Sequence, residues 1–185
     1  MMLDSEHKMI IGIIGGRAEN TNEPCMALAE EIGRELGKRG ITIVCGGQDG
    51  IMQAACKGCR ENGGTTIGIM KGKGYELANP YIDYVIPTSM DLARNNIIIW
   101  TGMGIIAFDG RYGTLMEIAL SLDIGKPLMI VGNQDLLNYD SVDAPFFDFY
   151  KGYELNQAPV IIDKLLAMIG EHNQQNKPNA SNCVK

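Results

Sequence analysis

The sequence predicts an α/β protein with a Rossmann-like, doubly wound and mostly parallel sheet that carries helices on both faces. Short, nearly all-apolar segments alternate along the chain with longer amphipathic segments. Strands that are apolar throughout are typical of a parallel sheet covered on both sides. Several of the apolar segments also run directly into glycine-rich turns. In such sheets, ligands bind at the carboxyl ends of the strands, where these turns would lie.

The chain is long enough for one domain, which we place at residues 1–172 of the 185. Residues 173–185 are polar and are predicted to form a disordered tail. The net charge is −6, and the sequence shows no basic face of the kind that nucleic-acid binders carry, so we do not expect a nucleic-acid partner. A phosphate ligand would therefore have to be held by local groups.

A cytoplasmic, reduced protein is expected. Acidic residues interrupt the start of the chain, so no signal peptide is predicted, and no segment approaches the ~20 apolar residues of a membrane span. The five cysteines are odd in number, and Cys56 and Cys59 fall within a predicted helix, so we expect neither a disulfide framework nor a metal site or resident cofactor.

The predicted elements follow from apolar runs and helix signals. Thr21 or Asn22 is expected to cap the first helix, Asp49 the second, and Ser89 or Asp91 the third. The aromatic residues at 146–153 are interpreted as core packing or a dimer surface. Strands are predicted at 9–14, 41–45, 65–70, 84–86, 104–108 and 127–131, with a final helix at 159–170.

The strongest functional motif runs from Asp109 to Glu117, directly after the fifth predicted strand. A helix is predicted to begin at or near Thr114, so free backbone N–H groups and the positive end of the helix dipole would point to one spot, which suits a phosphate. Small residues would let the backbone approach the ligand, and Arg111 adds a permanent charge. The candidate phosphate-binding residues here are Asp109, Gly110, Arg111, Tyr112, Gly113 and Thr114.

Glu117 has two interpretations that the spacing does not separate. Thr114 and Glu117 could form a capping box, in which the carboxylate bonds back to the start of the helix. Alternatively, the carboxylate could face the cleft as an acid, a base or an electrostatic stabiliser.

Two further glycine turns are expected to line the same cleft. They comprise Gly15, Gly16 and Arg17 after the first strand, and Gly46, Gly47, Asp49 and Gly50 after the second. Neither turn matches the dinucleotide fingerprint or the P-loop, so NAD or ATP binding through those motifs is disfavoured. Arg94, at the start of a predicted helix, is either a solvated surface residue or part of this site.

Together these motifs resemble the Lonely Guy-type family, also labelled lysine-decarboxylase-like, over roughly residues 9–131. The resemblance implies a nucleoside 5′-monophosphate phosphoribohydrolase, which releases free base and ribose 5-phosphate, with Arg94 and Glu117 as the catalytic pair. A close branch of the family resembles molybdenum-cofactor carrier proteins, which bind a phosphate-bearing pterin. The resemblance also implies a homodimer or larger homo-oligomer.

The chain departs from the family motif at three positions. Asp109 replaces a proline, Arg111 replaces a glycine, and Asn95 stands where the hydrolases have a lysine. Asp109 would bring a negative charge beside the phosphate site, which Arg111 could neutralise, or it could bond ribose hydroxyls. The Arg94–Asn95 pair favours the carrier branch. We favour the hydrolase and keep a binding or carrier protein for a nucleotide or pterin as the alternative.

Overall fold

The computed structural model describes residues 8–133, 138 and 141–176. Within these residues the strands are β1 (Ile10–Ile14), β2 (Thr42–Cys45), β3 (Thr66–Met70), β4 (Tyr84–Pro87), β5 (Gly104–Ala107), β6 (Leu128–Val131) and β7 (Phe147–Tyr150). The α-helices are α1 (Glu23–Lys38), α2 (Ile51–Glu61), α3 (Asn95–Thr101), α4 (Tyr112–Asp123) and α5 (Ala158–Gln175).

The described strands form one parallel sheet in the order β4-β3-β2-β1-β5-β6-β7. The chain proceeds outwards from β1 in one direction through β2 to β4, and then returns to the other side of β1 with β5. The topological switch point therefore lies between β1 and β5, where Gly12 is in register with Ile105. This confirms the predicted Rossmann-like fold and places the expected ligand site at the carboxyl ends of these two strands.

Helices cover both faces of the sheet. One core cluster joins the strands to α1, α2 and α5, with Leu28, Ile51 and Leu165 among its buried residues. The other joins the opposite face to α3 and α4 through residues such as Ile98 and Ile118. The central strands β1, β2, β5 and β6 are buried on both sides, which explains their apolar runs in the sequence.

Helices α1 and α2 approach each other closely through glycines. A Cβ atom on Gly33 would overlap the backbone of Ala55, and one on Gly37 would overlap the backbone of Cys59. On the partner helix, a Cβ on Gly58 would overlap the backbone of Glu30. The glycines in these two helices therefore serve helix–helix packing rather than ending the helices.

Several predicted boundaries differ from the structure. Asn22 caps α1 as expected, since its side chain accepts from the N–H of Cys25 at 2.9 Å. Asp49 is not a cap: α2 follows Gly50, which has a positive φ of 69°. The segment Asp91–Arg94 is a separate 3-10 turn before α3.

The chain after residue 132 contains structure that the sequence did not predict. The strand β7 lies in the aromatic stretch and pairs in parallel with β6 at the edge of the sheet. The helix α5 extends to Gln175, so it includes the first residues of the predicted tail, while residues 177–185 lie outside the described residues. In the described part of the chain, every helix is too short or too polar to span a membrane.

Candidate functional site

A cleft opens at the carboxyl ends of β1, β2 and β5, at the switch point of the sheet. Three turns form its walls: the one after β1, the one after β2, and the one between β5 and α4. The side chains of the segment before α3 close it from one side. The lining residues are Ile13, Ile14, Gly15, Gly16, Arg17, Asn20, Gly46, Gln48, Met52, Leu92, Arg94, Asn95, Arg111, Gly113, Thr114 and Glu117.

The N-terminus of α4 faces this cleft. Its N-cap residue, Arg111, forms no side-chain capping bond, and the N–H of Leu115 makes the opening helical bond to the carbonyl of Arg111 at 3.0 Å. The N–H groups of the first turn have no acceptor within the helix. A Cβ atom on Gly110 would overlap the hydroxyl of Thr114, so glycine allows that hydroxyl to sit against the turn. The arrangement is suited to an anion such as phosphate.

Arg94 is buried in the cleft rather than solvated, since its exposed fraction is 9%. Its guanidinium packs against Gly46, where a Cβ atom would overlap it. Its Nε and Nη1 atoms are buried and have no hydrogen-bond partner among the described residues. Burial lowers the pKa of Arg94, and the nearby Glu117 carboxylate opposes that shift. An unpartnered buried guanidinium is costly unless a ligand completes its hydrogen bonds.

Glu117 also lies in the cleft, with an exposed fraction of 7%. The helix begins at Tyr112 and its N-cap is Arg111, so Thr114 is not the cap and the capping-box interpretation is wrong. Burial raises the pKa of Glu117 to about 8, although the charge of Arg94 acts to lower it. Burial in the cleft therefore favours the neutral carboxylic acid form of this side chain.

Arg17 and Asp49 bind each other. The Nε and Nη2 atoms of Arg17 donate to the two carboxylate oxygens of Asp49 at 3.1 and 2.8 Å, and the N–H of Ala18 donates to one of them at 3.2 Å. This pairing lowers the pKa of Asp49. Arg17 lines the cleft and Asp49 does not. Because the two charges largely cancel, Arg17 offers less to a phosphate than its position in the sequence suggests.

Asp109 points away from the cleft. Its carboxylate accepts a hydrogen bond from the hydroxyl of Tyr153, and it lies against Gly132, where a Cβ atom would overlap it. Its backbone carbonyl accepts from the N–H of Gly16 at 2.7 Å and so joins the two turns. The expectation that Asp109 faces the ligand is not met by this geometry, and its negative charge is turned away from the start of α4.

Some of the remaining predicted residues lie outside the lining of the cleft. The residues outside the lining are Gly47, Gly50, Gly110 and Tyr112. Gly50 supports the turn after β1, and Tyr112 is 78% exposed.

The structure adds residues that sequence reasoning did not assign to the site. Asn95 contributes a buried Oδ1 atom with no partner among the described residues, and Asn20, Gln48, Met52 and Leu92 also line the cleft. The place of Gln48 within the glycine turn from Gly46 to Gly50 was the available signal for that residue.

Fold and cleft together define a Rossmann-like α/β protein with a candidate small-molecule site at the switch point of its sheet. The chain belongs to the SLOG cluster4 family, whose sequence profile matches residues 8–154. This confirms the resemblance to the Lonely Guy-type proteins.

Relatives include both a sequence match and solved structures. An uncharacterized protein of Archaeoglobus fulgidus is 36% identical over 118 residues, which cover 64% of this chain and 76% of that protein. The molybdenum cofactor binding protein of Rippkaea orientalis is similar in structure, with a TM-score of 0.74 and 28% identity over 88% of this chain and 99% of that one. The Moco carrier protein of Chlamydomonas reinhardtii has a TM-score of 0.74 and 32% identity, over 87% and 99% of the two chains.

Proposed function

We propose that this protein binds a phosphate-bearing pterin, the molybdenum cofactor, and serves as its carrier. The observation that carries the proposal is the unpartnered, buried guanidinium of Arg94, which shares one cleft with the uncapped N-terminus of α4. The likeness to two proteins described as binding or carrying the molybdenum cofactor supports it, because the match covers 99% of each of them.

The residues present fit such a ligand. A phosphate would accept hydrogen bonds from the first-turn N–H groups of α4 and from the hydroxyl of Thr114, with the exposed charge of Arg111 beside them. Deeper in the cleft, Arg94 and Asn95 offer a donor and an acceptor that have no partner among the described residues. Because position 46 is a glycine, the guanidinium and a ligand can both approach the turn after β2.

Electrostatics of the cleft also favour an anion. The charge of Arg94 acts in a partly dehydrated site, where Coulombic attraction is stronger than in water. Burial raises the pKa of Glu117 and so favours its neutral form. A protonated carboxylic acid does not repel a phosphate-bearing ligand and can donate a hydrogen bond to it.

Hydrolysis of a nucleoside 5′-monophosphate is the second candidate function. It is favoured by the presence of Arg94 and Glu117 in the same cleft, because the Lonely Guy-type resemblance implies that these two residues are the catalytic pair. Ionised Glu117 would stabilise the positive charge that develops on the ribose as the N-glycosidic bond breaks. That role requires Glu117 to lose its proton, although burial favours the protonated form.

One experiment separates the two functions. The protein is mixed with molybdenum cofactor released from a purified molybdoenzyme and passed through a desalting column, and the retained pterin and molybdenum are quantified. In parallel, nucleoside 5′-monophosphates are incubated with the protein, and free base is measured by chromatography. We expect stoichiometric retention by the wild type, loss of retention in Arg94→Ala, and no release of base. Release of base that depends on Glu117, without retention of the pterin, would overturn the proposed carrier function.

A further inference from the structure

A second compartment adjoins the cleft beyond Arg17 and Gln48, which line both spaces. It lies over the segments that follow β2 and β3, so it extends the cleft along the carboxyl edge of the sheet. We call it the far compartment. Its lining residues are Arg17, Gln48, Asp49, Gln53, Lys71, Glu76, Leu77, Ala78, Asn79 and Pro80.

The strand order fixes the direction in which the two spaces run. The start of α4 follows β5, the turns with Arg17 and Gln48 follow β1 and β2, and Lys71 follows β3; these four strands are neighbours in the sheet. With a strand spacing of about 4.8 Å, the distance from β5 to β3 is roughly 14 Å. An extended ligand of mononucleotide size that holds its phosphate at α4 would therefore reach the far compartment with its other end.

The charges of the far compartment argue against a second phosphate there. The charges of Arg17 and Asp49 cancel within their ion pair, and the positive charge of Lys71 is balanced by the negative charge of Glu76 in the same lining. The formal charge of these four side chains sums to zero. A site of this kind favours a neutral, polar group over an anion.

The polar groups of the compartment suit the edge of a heterocycle. The carboxamides of Gln48 and Gln53 each offer donors and an acceptor, Lys71 donates, and Glu76 accepts. The backbone carbonyl of Gln48 accepts from the side chain of Asn79 at 2.9 Å, and both residues are buried. This bond fixes the segment that carries Gln48 at the junction of the two spaces.

We infer that the far compartment is the subsite for a planar nitrogen heterocycle of the purine or pterin class, at the end of the ligand remote from its phosphate. The carboxylate of Glu76 accepts from ring N–H and amino groups, while Gln48 and Gln53 bond the ring carbonyl and nitrogen atoms. The inference rests on the proposed function for its phosphate anchor, and it assigns the residues that select the ligand.

The test compares two probes that differ only in the heterocycle. Guanosine 5′-monophosphate presents an amino-oxo ring edge like that of a pterin, whereas ribose 5-phosphate lacks the ring. Binding of each is measured by calorimetry for the wild type, Glu76→Gln and Gln53→Ala, because Glu76 and Gln53 line the far compartment and not the cleft. We expect each variant to weaken the binding of guanosine 5′-monophosphate by about tenfold, because it removes one hydrogen bond to a charged or buried group. Binding of ribose 5-phosphate should be unchanged.

Lys73→Ala is the matched control, since Lys73 lies on the same exposed loop but not in the lining of the compartment. Equal weakening of both probes, or no change in either, would overturn the subsite while leaving the proposed function intact. Failure of the wild type to bind both probes and the molybdenum cofactor would overturn the proposed function, and the subsite with it.

Discussion

The guanidinium of Arg94 lies against the α-carbon of Gly46, so closely that a methyl group on residue 46 would overlap its Nη1 and Nη2 atoms. The backbone of Gly46 does not have a positive φ, so alanine is tolerated there by the main chain. We therefore expect Gly46→Ala to displace the guanidinium and to weaken ligand binding by about tenfold or more, as for removal of a charge-assisted hydrogen bond. Calorimetry with guanosine 5′-monophosphate or the molybdenum cofactor measures this effect.

The effect of Gly46→Ala should disappear when Arg94 is already absent. In the double variant Gly46→Ala, Arg94→Ala, binding should equal that of Arg94→Ala alone, because both changes remove the same interaction. Gly72→Ala is the matched control, since no heavy atom of the described part of the chain lies within 4 Å of the position its Cβ would take. Additive losses in the double variant would show that Gly46 acts by another route.

Glu117 is predicted to make the ligand-free protein less stable as the pH rises. Burial raises its pKa from 4.5 to about 8, so between these values the folded state binds more protons than the unfolded state, and the free energy of unfolding falls with increasing pH. The slope from this group is at most about 1.4 kcal/mol per pH unit. Chemical denaturation at a series of pH values measures it.

Glu117→Gln isolates that contribution because the amide keeps the shape of the carboxylic acid and cannot ionise. We expect the variant to match the wild type at pH 4, below the pKa of the unfolded state, and to exceed it in stability at pH 9. If the two stability curves run parallel over this range, Glu117 does not hold its proton in the folded state, and the neutral carboxylic acid proposed for the cleft is wrong.

Much of the site could be predicted because local sequence encodes backbone geometry. A buried strand followed by glycines and an amphipathic segment predicts a strand, a turn and a helix N-terminus, and the position of these turns at one edge follows from the parallel sheet. Arg94 and Glu117 were candidates from the sequence motifs, the family resemblance paired them as catalytic residues, and the structure brings both into the cleft.

Side-chain partners could not be predicted, because they depend on distant parts of the chain. The hydroxyl that binds Asp109 comes from Tyr153, 44 residues away, and the partner of Arg17 lies 32 residues away. The strand β7 was missed for a different reason. It lies at the edge of the sheet and its residues are partly exposed, so it lacks the continuous apolar run that identified the central strands.

The contact between Tyr153 and Asp109 is expected to stabilise the fold. The hydroxyl of Tyr153 donates to the Asp109 carboxylate and accepts from the N–H of Asn133 at 3.3 Å. Tyr153→Phe removes a bond to a charged group and should cost about 1.5–3 kcal/mol. Tyr150→Phe is the control, because Tyr150 bonds the exposed Glu154 and its loss should change stability by no more than about 0.5 kcal/mol. Equal effects in urea denaturation would contradict the assignment.

Close packing of α1 on α2 predicts that Gly33→Ala is destabilising, although alanine is the better helix former. The new methyl group would overlap the carbonyl of Ala55, and separating the helices should cost about 1–3 kcal/mol. The propensity gain of about 1 kcal/mol does not offset the upper part of this range. Denaturation midpoints provide the measurement, and a variant more stable than the wild type would show that the two helices can separate freely.

Self-association is the last prediction, and it concerns the face of the sheet covered by α3 and α4. On β4, Val85 packs against the core on the face opposite to α3 and α4. Its neighbours Tyr84 and Ile86 therefore point to the face covered by α3 and α4. Both of these side chains are exposed, and Trp100 on α3 is exposed as well. Exposed apolar residues on one face are typical of a protein interface. We expect the wild type to be a homodimer or larger in light scattering, and Ile86→Glu to shift it towards monomer. Lys73→Glu, a charge change on the loop between β3 and β4, should leave the mass unchanged. A monomeric wild type would remove the basis for this interface.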